Sequence, residues 1–370
     1  MKVTVVKKDF LNALLIGGSF AGRAKALPIL DCVKIKFKRD CINIISSDSE
    51  NAISKRADFH TSDFEGDICV SYKSLIQYVK LLTGEFIEFV ISDDLKSMEI
   101  KHKKGSMSLP LMNADDFPVI SSKEECVEVE MSSATLHNWI VDGREFTVDD
   151  MLRPVMNGIY LYRRDNELGC CASDGHKMFY DHIKDENPQN FEFIINKNSF
   201  SSICSICKEC DNVKIKIGKA NTTFIGDGVT LIIRNIEGRF PNFKSVISNN
   251  NDINLILDKN ELKEAILRCG IGASQATSLI KLEVKGATLT LSAEDIDFSV
   301  KSVETMFVEC NGDITIGFKA NFLLNILNTI STEQCLIKLK DETRAGIFYE
   351  YAHEEIASNK LSLLMPMVLN

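Results

Sequence analysis

Three clusters in this chain hold residue types that perform chemistry elsewhere. Cys204, Cys207 and Cys210 form a C-x-x-C-x-x-C run, the kind of spacing at which thiolates hold zinc or an iron–sulfur cluster. A closed site needs a fourth ligand, and no Cys or His follows at the expected short spacing. The equivalent stretches elsewhere in the chain lack the cysteines, and small thiols also pack well along a helix. Ser173-Asp174-Gly175-His176 contains the nucleophile, acid and base types of a hydrolase triad. Side chains adjacent in sequence seldom converge in those roles, and Asp-Gly marks a turn. The remaining histidines, His60, His102, His137, His182 and His353, are scattered. Gly17-Gly18-Ser19-Phe20-Ala21-Gly22-Arg23-Ala24 has the glycines of a phosphate loop, but arginine stands for the lysine and alanine for the following Ser/Thr. It also follows a helical pattern where a strand is required. A loop that carries Arg23 and Lys25 to a polyanion is the better reading. None of these clusters makes a catalytic constellation, and neither cofactor nor metal is expected.

The elements that must position these residues repeat. Asp116-Phe117-Pro118, Arg239-Phe240-Pro241 and Leu364-Met365-Pro366 each close about one third of the chain, with Phe117, Phe240 and Met365 spaced 123 and 125 residues apart. Lys73, Lys197 and Lys319, each opening a mid-repeat helix, recur after 124 and 122 residues. The turns Ser47-Asp48, Ser173-Asp174 and Ala293-Glu294 keep the same order, as do helical starts at Asp9, Ala134 and Asn260. A period this long exceeds solenoid repeats of roughly 20–50 residues and matches a whole domain. One domain, tripled, is expected over residues 1–122, 123–249 and 250–370.

Within each third a strand leads into a helix. Val3 and Val5 alternate with polar residues before Asp9, which is placed to cap a helix carrying Leu11, Leu14 and Leu15, and Gly17-Gly18 ends it. Val127 and Val129 precede Leu136, Trp139 and Ile140; Leu255 and Leu257 precede Asp258 and the stripe Leu262, Ile266 and Cys269. Period-two strands follow, such as Val33 to Lys38 and Ile159 to Arg163. In the second helix Leu75, Tyr78, Val79 and Leu82 point inward, leaving Lys73, Gln77 and Lys80 on the opposite face. Two helices on a layer of antiparallel sheet make each third an α+β domain.

With 370 residues and 45% apolar content the chain has material for three cores. No apolar run reaches the roughly 20 residues of a membrane span, and the alternating start Met1 to Lys7 does not read as a signal peptide. Twelve cysteines without regular spacing argue against a secreted disulfide scaffold and for a reducing cytoplasm. A net charge of -9 taken alone argues against a chain coated in nucleic acid and makes the placement of its cations the informative quantity.

At Ser173-Asp174-Gly175-His176-Lys177, Glu237-Gly238-Arg239-Phe240-Pro241 and Leu364-Met365-Pro366-Met367 the chain resembles the bacterial DNA polymerase III beta subunit, the sliding clamp. Leu27-Pro28-Ile29-Leu30 and Met156-Asn157-Gly158 agree, and the motifs keep their order along the whole length. The resemblance implies three clamp-type domains per chain and a head-to-tail homodimer closed into a six-domain ring. Such a ring encircles double-stranded DNA without reading its sequence and tethers a replicative polymerase, a clamp loader and other proteins through short peptides, in the family a linear motif with glutamine, leucine and phenylalanine. It implies no catalysis and no membrane.

A ring that slides offers cations to phosphates and makes no base-edge contacts. Lys73, Lys80 and Lys197 suit that task, and the resemblance adds Arg23 and Arg153. It places a partner-peptide groove at Met156, Ser173, Gly175, His176, Lys177, Met178, Pro241, Ser245, Val246, Leu363, Leu364, Met365, Pro366 and Met367. It places a subunit interface at Met107 and Leu109 against Ile271 of the other chain. Many relatives carry arginine where this chain has Ser245 and Val368, so its groove should be less basic. Removal of the tail from Leu363 is expected to spare ring formation. Two other readings compete: a clamp-like scaffold of a mobile element that docks partners without loading, and a metal or thiol enzyme built on Cys204, Cys207 and Cys210.

Overall fold

A computed structural model describes residues 1–24, 27–102, 104–118, 126–248 and 250–369. The expected phosphate contact Lys25 lies outside the described residues. The six α-helices among them are α1 (Lys7–Gly17), α2 (Tyr72–Leu81), α3 (Ser133–Gly143), α4 (Phe200–Cys207), α5 (Lys259–Gly270) and α6 (Ala320–Thr329), two to each third of the chain. Every strand pairing is antiparallel, giving the α+β architecture expected from the alternating patterns.

The chain packs as two compact units, Met1–Ile140 with Asn198–Asn235, and Val141–Lys197 with Ile236–Asn370. The middle third is divided between them because its strands continue the sheets of its neighbours. In the first unit Val229–Arg234 pairs with Ala52–Ala57, from Val229 opposite Lys55 to Ile232 opposite Ala52, within a sheet of thirteen strands. In the second unit Lys177–Lys184 pairs with Glu355–Leu364, Lys177 opposite Leu364 and Tyr180 opposite Leu361, within a sheet of nine. A further four-stranded sheet runs in the order Val300–Phe307, Thr288–Asp295, Leu279–Lys285, Ile314–Lys319.

The helices bury the stripes their sequences carry, with two corrections. Strand Lys2–Val6 runs straight into α1, so Val6 takes the N-cap position and Asp9 falls inside the first turn. Its first N–H is satisfied by Glu85, whose carbonyl accepts from Lys7 at 2.7 Å. The buried face of α1 is Phe10, Ala13, Leu14 and Gly17, while Leu15 is exposed, because Gly17 brings the backbone against Ile44 where a Cβ would collide. Gly18 ends the helix as expected, its N–H donating to Leu14 at 3.0 Å. In α2, Leu75, Ile76 and Val79 are buried and Lys73, Gln77 and Lys80 are exposed. Asp258 does cap α5, accepting from the N–H of Glu261 at 2.8 Å.

The second unit also holds a buried charge cluster. The Lys360 ammonium donates to Glu350 at 2.8 Å, to Asp142 at 3.1 Å and to the Thr329 carbonyl at 2.6 Å. Burial opposes ionisation of Glu350, but hydrogen bonds from Lys360, Ser331 and Ser358 outweigh it and bring its pKa to about 2. The cluster fixes the ends of α3 and α6 against the last strand.

Candidate functional site

The Ser173-Asp174-Gly175-His176 segment is a turn whose polar groups are already engaged. The Asp174 carboxylate accepts from the backbone N–H groups of His176 and Lys177, each at 2.8 Å, and the Ser173 hydroxyl donates to the Lys177 carbonyl at 3.0 Å. Gly175 has φ +91°, in the region that favours glycine. The Ser47-Asp48 turn repeats this pattern in the first third. Asp48 accepts from Glu50 at 3.1 Å and Asn51 at 2.7 Å, and Ser47 donates to the Asn51 carbonyl at 2.8 Å. A construction present twice, once without histidine, is a turn and not a triad.

In the middle third, what the turn carries differs. Lys177 is buried with its ammonium bonded to the Glu145 carbonyl, 3.6 Å from Asp174, and over the rings of Phe146 and Phe322 at 4.9 and 5.3 Å. Burial lowers its pKa, against the pull of Asp174 and Glu145. It is therefore a fixed internal cation that braces the turn. His176 stays exposed and stacks on Phe322, with centroids 6.2 Å apart. Phe322, also under the Lys319 ammonium at 4.9 Å, is the residue the sequence reading missed. Its signal was an aromatic side chain off the buried α6 stripe of Leu323, Ile326 and Leu327.

The C-terminal tail is stitched to this turn. Leu364 pairs with Lys177, the Met365 N–H donates to the His176 carbonyl at 2.8 Å, and the Met367 N–H donates to the Gly317 carbonyl at 2.8 Å. Met178 and Leu363 are buried in one cluster with Tyr160, Tyr180, Phe240 and Phe243. Leu364 is fully buried as well. These three residues are the floor of the region, and cutting the chain before Leu363 would remove strand and core together. The residues left at the surface are Gly175, His176, Pro241, Ser245, Val246 and Met365, with Met156, Ser173, Pro366 and Met367 half-buried.

The expected phosphate contacts divide into two kinds. Lys73 and Lys80 are exposed on α2 and have no carboxylate partner among the described residues. Arg23 is exposed but anchored, donating to the Asn198 carbonyl at 2.8 Å, its guanidinium 4.7 Å from the Phe20 ring centroid. Lys197 opens a 3-10 turn and is paired with Asp149 at 2.7 Å. Arg153 is paired with Asp150 at 2.7 Å and lies beside the Gly175 turn, its Nη1 3.0 Å from where a Cβ on Gly175 would stand. Neither α2, α4 nor α6 has an acidic residue in its first turn, so each N-terminus keeps an unopposed positive end.

Two strands have open sides. Gly105–Met112 pairs with Ser97–His102 along Gly105–Pro110, but on its other side, among the described residues, only Leu111 and Met112 have partners, Val70 and Cys69. Among the described residues Val300–Phe307 pairs with Thr288–Asp295 alone. Leu109 is buried and Met107 packs partly on the same core, whereas Ile271, at the end of α5, is 83% exposed. Exposed Ile296, Phe298, Val303 and Phe307 lie on or beside this second edge.

The cysteine run does not gather as a metal site. Cys204 and Cys207 lie on α4, Cys210 beyond its end, and among the described residues no group of His, Cys, Asp or Glu side chains is arranged to hold a metal. Burial pushes the Cys207 thiol up to about 12, far from a reactive thiolate. All twelve cysteines are unpaired.

The whole architecture is that of a clamp. A crystal structure of a Pseudomonas aeruginosa sliding clamp bound to griselimycin superposes with a TM-score of 0.93, covering 100% of both chains at 22% identity. The beta sliding clamps of Pseudomonas aeruginosa and Rickettsia bellii are 22% and 25% identical, covering 100% of both chains and 90% and 91% of this chain and its relative, respectively. The family models for the N-terminal, central and C-terminal domains of the DNA polymerase III beta subunit match residues 1–121, 126–242 and 244–367. The chain belongs to the DNA polymerase III beta subunit family, whose members are non-catalytic processivity factors.

Proposed function

We propose that this chain closes as a head-to-tail homodimer around duplex DNA and keeps a replicative polymerase on its template. Each chain supplies three domains, 1–122, 123–249 and 250–370. The carrying observation is the pair of open strands. Gly105–Pro110 is open on the side away from Ser97–His102, and Val300–Phe307 is open on the side away from Thr288–Asp295, near the exposed Ile271. Joining one to the other covers two exposed edges at each contact and makes a heterologous contact of the kind that closes rings. The exposed cations Lys73, Lys80 and Arg23, with Lys197 and Arg153 after exchange of their aspartates, would contact phosphates without reading bases.

Partner proteins, the polymerase and a clamp loader among them, dock short peptides at the surface formed by Gly175, His176, Pro241, Val246 and Met365. A leucine or aromatic side chain covered there contributes roughly 1.5–3 kcal/mol. The cytoplasm is the expected compartment: the cysteines are unpaired, and among the described residues no helix is long and apolar enough to cross a membrane. Sedimentation at micromolar concentration tests closure. Twice the 41.4 kDa chain mass is expected; a monomer sinks the ring, and a trimer replaces the dimer.

A further inference from the structure

A second cavity adjoins the partner surface and differs from it in chemistry. Its volume is about 380 Å³, and Arg164, Arg239 and Glu192 line it above the rings of Tyr160 and Phe240, with Pro241 at its border. Pro241 also belongs to the proposed peptide groove, so the two sites share a wall. Phe240 stacks on Tyr160 with centroids 4.8 Å apart and planes 4° apart, which makes the floor flat and rigid. Gly238, with φ +123° and the Val155 side chain 2.8 Å from where a Cβ would stand, sets the backbone turn that delivers Arg239 and Phe240 here.

The two arginines are unspent. Arg164 lies over the Tyr162 ring at 5.0 Å, Arg239 is exposed, and neither has a carboxylate partner among the described residues. Three other cations of this unit do have carboxylate partners: Arg163 with Asp185 at 2.8 Å, Lys244 with Glu167 at 2.9 Å, and Arg153 with Asp150. The one acid at the cavity, Glu192, instead accepts from the Tyr160 hydroxyl at 2.5 Å. A guanidinium fixed on an aromatic face presents a planar fork matched to a carboxylate. We propose that this cavity receives an acidic side chain flanking the apolar anchor of a partner peptide, with Arg164 and Arg239 as its carboxylate receptors. The inference rests on the partner-groove reading above. A single carboxylate reaches the arginines past Glu192, whereas a nucleic-acid backbone would bring a charge at every link against it.

Fluorescence anisotropy on the full-length protein at low salt tests this with five labelled probes: a peptide carrying Gln, Leu and Phe; the same peptide with Asp-Asp-Asp at its N-terminus; the same peptide with Asp-Asp-Asp at its C-terminus; an Asp-rich peptide lacking Gln, Leu and Phe; and a single-stranded DNA. One acidic extension should tighten binding about tenfold, and added salt should erase the gain. The double variant Arg164→Gln/Arg239→Gln should lose that gain and bind the plain peptide as before, which also shows that it folds. If the double variant is unstable, Arg239→Gln alone must lose part of the gain. No advantage from either extension, or an advantage that survives removal of the arginines, overturns the proposal. If the plain peptide does not bind the unmodified protein, the groove reading falls. The Asp-rich peptide then decides the cavity by itself: binding lost with the arginines upholds it, and equal binding overturns it. Single-stranded DNA that binds more tightly than the acidic peptides, and loses that binding in the double variant, reassigns the cavity to nucleic acid and overturns the proposal.

Discussion

Strand Gly105–Met112 turns Met107, Leu109 and Leu111 onto its own core and leaves one side of its backbone open from Gly105 to Pro110. Strand Val300–Phe307 leaves a whole side open and has Ile271, Ile296, Phe298, Val303 and Phe307 exposed on or around it. The first edge can offer mainly hydrogen bonds, while the second adds apolar surface. Pairing between these unlike edges is the heterologous contact proposed above.

The contrast is broken most severely at Ile271. Ile271→Asp replaces an 83% exposed apolar side chain, so the isolated chain should keep its thermal stability. The dimer should weaken about 100-fold, near 3 kcal/mol, once burial is lost and a charge is placed at the contact; sedimentation across a concentration series measures it. Ser108→Pro acts on the opposite edge. The Leu111 N–H donates to Lys96 on the paired side, and the two-residue period turns the Ser108 N–H to the open side, where Pro110 is already tolerated. Losing that donor should weaken the dimer about five- to tenfold, the worth of one net hydrogen bond, with chain stability unchanged. Phe307→Ser should weaken the dimer by about threefold, the smallest of the three effects, because Phe307 is the last residue of the open strand and only part of its exposed side chain would be covered there.

A similar division between open and spent groups runs through the cations. Lys73 and Lys80 have no described carboxylate partner, while Asp149 holds Lys197. The Lys197–Asp149 pair is exposed on the aspartate side, so it is easily exchanged. Asp149→Asn should make the log–log salt dependence of short-duplex binding steeper by about 0.9, one added phosphate contact. An unchanged slope would remove Lys197 from the DNA-facing set.

What the sequence disclosed was what local periodicity encodes. The α2 face of Lys73, Gln77 and Lys80, the Trp139 stripe of α3 and the turn at Ser173 all follow from spacing within a few residues. Division of the middle third between two sheets depended on the pairings of Val229–Arg234 with Ala52–Ala57 and of Lys177–Lys184 with Glu355–Leu364, partners too distant in sequence for a local pattern to register. The same limit hid the burial of Lys177 between Phe146 and Phe322, and the presence of Arg164 and Arg239 at one cavity. Asp9 misled because an acid near a helix start is a good cap only when a loop precedes it, and here a strand does.

Topological holding is the central claim, and retention on DNA of different form tests it most directly. The protein is loaded by a clamp loader onto a closed circle, then moved to salt that abolishes short-duplex binding. It should remain on the circle and leave when a single cut provides free ends. Equal retention on circular DNA and on linear DNA with free ends would contradict a closed ring around the duplex.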